Sequence, residues 1–437
     1  MNFDLLKGLV ISNFLLAFII LIIWWILLMK NFEFCLSVLV VGSFIAQYTE
    51  INLIFWNGTL LLPFALMTLL SIIPKLFNLL SNFDSFTKQI IIVITIYFFL
   101  IFVRNFFLFG DPIIILTNLL FDFTRIFLPF YGVLIILKKN GSLLKHIKYN
   151  AYLSLIICFC YLIVIFTSSS IFNVNSLRNL AFWNMPLGAF SSLGLWSLFY
   201  LLSKLLLEYK NKRRLLLIVL ILLPLAVILL SQSRGLLPSI ILGIYAIIVL
   251  SKNKIKGVLP VFIGVIILFF VANMVSFNIS NEDVSVTDIY SERFSSSSNG
   301  NIITDDSRFA LWQNAIESIF SHPFGGASIK SKIGVHNLYL EMLMQIGVFG
   351  LFYTILLFIG MRKVIKFLIK FKLSVSNDSL ITTGLALAVL YHAIFGGLLG
   401  GTFTFLYWSI ALLLCLRIEV IKSDQFQQNM LNWYDLN

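Results

Sequence analysis

The chain has 437 residues, of which 60% are hydrophobic, 15% aromatic and only 11% charged, with 44 Phe and a formal net charge of +12. That much apolar surface exceeds what one soluble core can hide, so the protein must use lipid as its solvent. The excess of positive charge is not a nucleic-acid footprint, because it sits in short loops between apolar runs and not on a continuous face.

Apolar runs of about 17 to 25 residues recur along the chain, each the length that crosses roughly 30 Å of hydrocarbon as a helix. They fall at 8–29, 33–49, 59–77, 89–109, 112–137, 150–167, 187–207, 214–230, 235–250, 257–277, 337–360, 379–396 and 402–418. Alternation of apolar and polar residues, the sign of a membrane β-barrel, is missing from them. The expected fold is therefore an all-α polytopic membrane protein of about 12–13 transmembrane helices with one large outward loop. The first run reads as a true span: it is long, and Trp24 and Trp25 near its end have no small-residue cleavage pattern after them. The fifth is the weakest, since Asp122 and Arg125 lie three apart on one of its faces.

Basic residues cluster in alternate loops: Lys138, Lys139, Lys145 and Lys148; Lys210, Lys212, Arg213 and Arg214; Lys252, Lys254 and Lys256; Arg362, Lys363, Lys366, Lys370 and Lys372. The positive-inside rule assigns these loops to the cytoplasm and places 168–186, 231–234, 278–336 and 397–401 outside. In the first half, Lys7 and Lys30 give little bias: thirteen spans put the N-terminus outside, and both ends are cytoplasmic if one early segment does not span. Five regions follow: N-terminal helices over 1–186, helices with a polar turn over 187–277, the outward loop 278–336, C-terminal helices over 337–418, and a cytoplasmic tail 419–437.

Cys35, Cys158, Cys160 and Cys415 all fall within apolar runs and read as small buried hydrophobes, not as disulfides or metal ligands. The chain has no fixed-period repeat and no Gly-Lys-Ser/Thr phosphate loop, which argues against ATP-driven transport.

The outward loop divides in two. Its first part, NISNEDVSVTDIYSERFSSSSNGNIITDD, is polar and rich in Ser and Asn, and is expected to be loosely ordered. In DDSRFALWQNAIESIFSHPFGG, Phe309, Trp312, Ile316, Ile319 and Phe320 recur at helical spacing. Asp305, Asp306 and Ser307 supply capping chemistry, and His322-Pro323 with Gly325-Gly326 supplies a stop. The spacing predicts an amphipathic helix near 306–321, lying on the outer face of the membrane or across the bundle, with Arg308 in its first turn.

A second arginine, Arg234, interrupts the apolar stretch from 221 to 248 within Ser231-Gln232-Ser233-Arg234-Gly235. An ionisable group at the centre of a span costs roughly 2.5–3.5 kcal/mol, less near the interface. Either Arg234 snorkels to headgroup phosphates or it faces a cavity and binds an anion there. His336 opens the next span. Two guanidiniums suit a diphosphate by two-pronged contacts, and a neutral imidazole suits removal of a hydroxyl proton. For each residue singly, an ordinary interfacial polar group is an equally good account; together they suit transfer from a lipid diphosphate to a hydroxyl.

The string S-x-S-R-G at 231–235, R-x-x-x-W from Arg308 to Trp312, H-P-x-x-G from His322 to Gly326 and H-N-x-Y-L from His336 to Leu340 resemble the O-antigen ligase and polymerase family of bacterial surface-polysaccharide glycosyltransferases. The likeness runs from about Leu187 to Gly350; the first half is similar only in hydropathy. It implies a GT-C type enzyme in the bacterial inner membrane, with its active site facing the periplasm, acting without metal or other cofactor on undecaprenyl-diphosphate-linked oligosaccharide. It also implies that Arg234 and Arg308 hold the donor diphosphate and that His336 is the base for the acceptor hydroxyl. Asn337 is expected to orient the imidazole, and Trp312 or Tyr339 to stack on a sugar. Lys330 and Lys332 either add positive potential at the entrance or are an ordinary solvated loop. The outward loops contain no Asp-x-Asp motif, and Asp305-Asp306 reads as a helix cap, consistent with metal independence.

The Phe, Ile and Leu content and the divergent first half favour an O-antigen polymerase, whose acceptor is another lipid-linked repeat unit. The alternative is a ligase, whose acceptor is lipid A-core. The expected partners are the lipid-linked donor, the bilayer and a chain-length regulator protein, with no nucleic acid. A rival of another class is a lipid-linked oligosaccharide flippase, with Arg104, Asp122, Arg125 and His392 lining its path. The lack of repeats and the long structured loop argue against it.

Overall fold

The computed structural model describes residues 18–46, 62–76, 128–140, 143–167, 193–207, 211–230, 236–250 and 307–324, parts of 181–186 and 277–284, and scattered positions within 88–103, 337–362 and 384–391. In chain order the helices are α1 (Phe18–Lys30), α2 (Phe32–Ala46), α3 (Leu62–Leu76), α4 (Leu128–Asn140), α5 (Leu144–Thr167), α6 (Gly194–Leu207), α7 (Asn211–Leu230), α8 (Leu236–Leu250) and α9 (Ser307–Ser321). Two of the described helices, over Leu144–Val164 and Lys212–Leu230, are long and apolar enough to cross a membrane. Of the other predicted spans, 257–277 as far as residue 276 and all of 402–418 lie outside the described residues, as do Arg104, Asp122, Arg125, His392 and Cys415.

Large apolar side chains are exposed along these helices: Phe18, Ile19, Ile22, Ile23 and Ile26 on α1, Ile156 and Phe159 on α5, Leu215, Leu216 and Val219 on α7. Contiguous apolar surface of this extent is disfavoured in water and is ordinary in lipid. The protein is thus a helical membrane protein. Inside, α2 and α6 pack on α5, α6 also on α7, and α3 on α4. Cys35 and Cys158 are buried among them, as expected. Close approach is exacting where α8 meets the 384–391 segment. A Cβ on Gly243 would lie 2.7 Å from the Gly384 carbonyl oxygen and would also strike the Phe199 ring. Small residues at such crossings let backbones approach and gain packing where lipid gives no hydrophobic drive.

A chain of buried polar contacts links α5 to α2. Asn150 Nδ2 lies 3.3 Å from His146 Nε2, and His146 Nδ1 lies 2.8 Å from Ser37 Oγ, which donates to the Glu33 carbonyl at 2.8 Å. A neutral imidazole protonated on Nδ1 satisfies this chain.

Three observations correct the sequence reading. Lys145 and Lys148 are not loop residues: α5 begins at Leu144, because Lys145 pairs with Glu33 at 3.8 Å and His146 is buried against α2, holding these extra turns. Part of the polar loop is ordered, with Phe277–Ile279 (β3) pairing antiparallel to Glu282–Val284 (β4). Its register leaves two residues, Ser280 and Asn281, between the strands, a length that suits a tight hairpin. A smaller hairpin joins Ala181–Phe182 (β1) to Met185–Pro186 (β2), so the described residues are helical apart from two short hairpins.

The third concerns orientation. Lys75 Nζ sits over the Phe32 ring, Lys145 meets Glu33, and Asn31 Nδ2 donates to Tyr149 Oη at 2.8 Å. The α1–α2 corner therefore shares an end of the bundle with the C-terminus of α3 and the N-terminus of α5. The weakly biased Lys30 thus joins the basic end.

Candidate functional site

α7 starts at this kind of basic terminus, with Lys212, Arg213 and Arg214 in its first turn, and runs about 30 Å at 1.5 Å per residue. The five residues between its end at Leu230 and the start of α8 at Leu236 are Ser231-Gln232-Ser233-Arg234-Gly235. Those five lie outside the described residues. Before them Val227 and Ile228 are buried and Leu229 and Leu230 half-buried; after them Leu236 and Ser239 are buried and Pro238 is exposed.

α9 forms over Ser307–Ser321 and stops where His322-Pro323 predicts, with the His322 amide donating back to the Ser318 carbonyl at 3.1 Å. Its register places Arg308, Trp312, Ala315 and Ile319 on one face, at i, i+4, i+7 and i+11. Trp312, Ala315 and Ile319 pack against Leu340 and Met344, and Ala315 and Met344 are fully buried there. At the far end of the contact, the Val348 amide donates to the Pro323 carbonyl at 2.9 Å. From Pro323 back to Ala315, the partners step back from Val348 to Met344. The two helices therefore run in the same sense, with their N-terminal ends together.

The second helix is not the uninterrupted span expected over 337–360. Gly347 has φ of 59°, a left-handed conformation that glycine adopts without strain, and its amide donates to the Leu343 carbonyl at 2.7 Å. The result is a short helix ending at Gly347, beyond which helical residues resume from Val348. Substituting Gly347 by Ala places a Cβ in this conformation, at a cost of about 1–2 kcal/mol. The expected outcome is a lowered melting temperature in detergent, measured by loss of monodisperse protein on heating.

At the N-terminus of this short helix, Asn337 is buried, and its Oδ1 accepts from the amides of Tyr339 and Leu340, each at 3.1 Å. This is an N-cap, a role that the sequence reading missed; the signal was an Asn immediately before an apolar helical run. Asn337→Ala is expected to cost about 0.5–2 kcal/mol and Asn337→Asp much less, which thermal unfolding of the two variants would compare. Trp312 is committed in part to the α9 contact, and Tyr339 is partly buried in the first turn after the cap. His336, Lys330 and Lys332 lie outside the described residues, and Arg308 is placed by its backbone alone. His336 directly precedes the Asn337 cap in sequence. Among the described residues no group of His, Cys, Asp or Glu is arranged to hold a metal ion.

The described residues thus form a helical membrane protein in which an amphipathic loop helix packs on a capped half-helix. Residues 216–355 match the family model described as O-antigen ligase. The chain therefore carries a domain of the O-antigen ligase and polymerase family, spanning the SQSRG turn, α9 and the broken helix. No curated protein matches the sequence.

Proposed function

We propose that the protein is an O-antigen polymerase that transfers glycan from undecaprenyl diphosphate to a hydroxyl of another lipid-linked repeat unit at the periplasmic face of the inner membrane. The observation that carries this reading is the same-sense packing of α9 on the helix that follows Asn337. It supports bringing the first turn of α9, with Arg308, to the end where His336 enters. The burial of Leu236, two residues after Arg234, supports an inward-facing Arg234 over one that snorkels to headgroups. Assigning the basic helix ends to the cytoplasm sets α9 and the SQSRG turn on the periplasmic side.

In this mechanism His336 takes the proton of the acceptor hydroxyl as its oxygen forms a bond to the anomeric carbon. The bond from that carbon to the diphosphate oxygen breaks, and the electron pair leaves with undecaprenyl diphosphate. Arg234 and Arg308 stabilise the charge that develops there, the kind of electrostatic help usually worth most. Asn337 acts by capping the helix that begins next to His336; Lys330 and Lys332 add positive potential at the entrance. Trp312 and Tyr339 keep partly open ring surfaces that suit sugar stacking. No step needs a metal, so chelation is expected to leave the rate unchanged, whereas a loss restored by Mg²⁺ or Mn²⁺ contradicts the reading.

The match to the O-antigen ligase family favours a second reading, a ligase whose acceptor is lipid A-core. Surface glycan of a deletion strain separates them. Loss of a polymerase leaves core carrying one repeat unit, whereas loss of a ligase leaves bare core while lipid-linked polymer accumulates. A full-length ladder in the deletion strain contradicts both. A chain-length regulator is the expected protein partner of the polymerase.

A further inference from the structure

Among the described residues α9 docks on the broken helix by one face, and the side next to that face is apolar and exposed. Ile316, Phe320 and Phe324 are 45%, 80% and 81% exposed. At 3.6 residues per turn, Ile316 and Phe320 flank the Trp312–Ala315–Ile319 stripe. Gln313, Asn314, Glu317 and Ser321 take the remaining arc, where Gln313 Nε2 donates to Glu317 Oε1 at 3.4 Å. The uncovered strip does not stand alone. The Pro323–Val348 hydrogen bond joins it to Val348, Leu351, Phe352, Ile355 and Ile359, apolar and exposed on the helical residues that follow Gly347. In a membrane protein such residues on a span face acyl chains. The exposed apolar residues of that span thus begin next to the C-terminal end of α9.

We infer that the Ile316–Phe320–Phe324 strip is a lipid-docking surface, seated in the acyl chains of the outer leaflet while the Gln313–Glu317 arc faces water. A helix with one apolar flank and one polar arc lies in the interface plane, its apolar side sunk roughly 5–10 Å below the headgroups. Seated in this way, α9 is held at the membrane by lipid as well as by protein. Its N-terminal turn then stays near the level of lipid phosphates, where a lipid-linked diphosphate is presented. The inference rests on the outward placement of α9 proposed above, and on none of the transfer chemistry.

The test uses the full-length protein in spheroplasts, with single cysteines introduced as Phe320→Cys, Phe324→Cys, Asn314→Cys and Glu317→Cys. The wild type measures the background from its four native cysteines. A membrane-impermeant maleimide should label Asn314→Cys and Glu317→Cys at least tenfold faster than Phe320→Cys and Phe324→Cys. A phospholipid carrying a photoactivated diazirine on its acyl chain should cross-link to the 316–324 peptide of the wild type. Equal labelling rates overturn the inference, because the strip is then in water. Slow labelling without the acyl-chain cross-link also overturns it, because protein then covers the strip. Labelling of Asn314→Cys only in inside-out vesicles refutes the outward placement, and with it the proposed function and the seating in the outer leaflet.

Discussion

Arg308→Ala should lower the transfer rate by about 10²–10³-fold, the loss usual when one group stabilising a developing negative charge is removed. Arg308→Lys should recover part of it, since lysine restores the charge but not the planar two-pronged contact. Arg234→Ala should behave alike, and the double variant should lose less than the product of the single losses if both guanidiniums serve one diphosphate. His336→Ala should cost about 10²–10⁴-fold, the usual range for a general base. Complementing a deletion strain with each variant, at matched protein levels, reads these losses as a missing polysaccharide ladder. Full ladders from all three single variants contradict the site and favour the flippase reading.

The second large effect is structural. Gly243→Ala should destabilise the bundle by about 1–3 kcal/mol through overpacking, and Gly243→Leu by more. The added Cβ meets the Gly384 backbone carbonyl, which cannot rotate away as a side chain can. Gly384→Ala should be milder, because its nearest neighbour is the Ile247 side chain at 2.7 Å and the facing Gly243 carbonyl oxygen is farther, at 3.1 Å. α8 begins directly after the SQSRG turn, so forcing it away from the 384–391 segment should also weaken donor binding. Detergent thermal stability, measured for both glycine variants, tests the order. Equal stability of Gly243→Leu and wild type contradicts the crossing.

Much of this was legible from residues. Apolar run length pointed to a helical membrane protein because a helix in lipid must satisfy every backbone group internally. The capping and stop residues around Ser307 and Pro323 located α9 within a residue or two. Contacts between distant segments were not legible: the Ala315–Met344 contact, the Pro323–Val348 hydrogen bond and the Gly243–Gly384 crossing depend on surfaces far apart in sequence. The break at Gly347 was missed for a different reason. Its glycine lies in a run apolar enough to read as a single span, and its left-handed backbone is favoured by a hydrogen bond from Val348 to a loop residue that periodicity does not reveal. The buried His146 was missed because its partners Ser37 and Glu33 sit on α2. Of the proposed site, the residue types and their order came from sequence. The structure adds the pairing of the two helices next to which Arg308 and His336 stand.

The most direct test of the central claim is reconstitution of the purified protein into liposomes with a single defined lipid-diphosphate-linked repeat unit, without divalent metal. The account predicts a lipid-linked dimer and free polyprenyl diphosphate in equal amounts, and neither product with His336→Ala. Movement of the lipid-linked unit across the bilayer with no new glycosidic bond would contradict it.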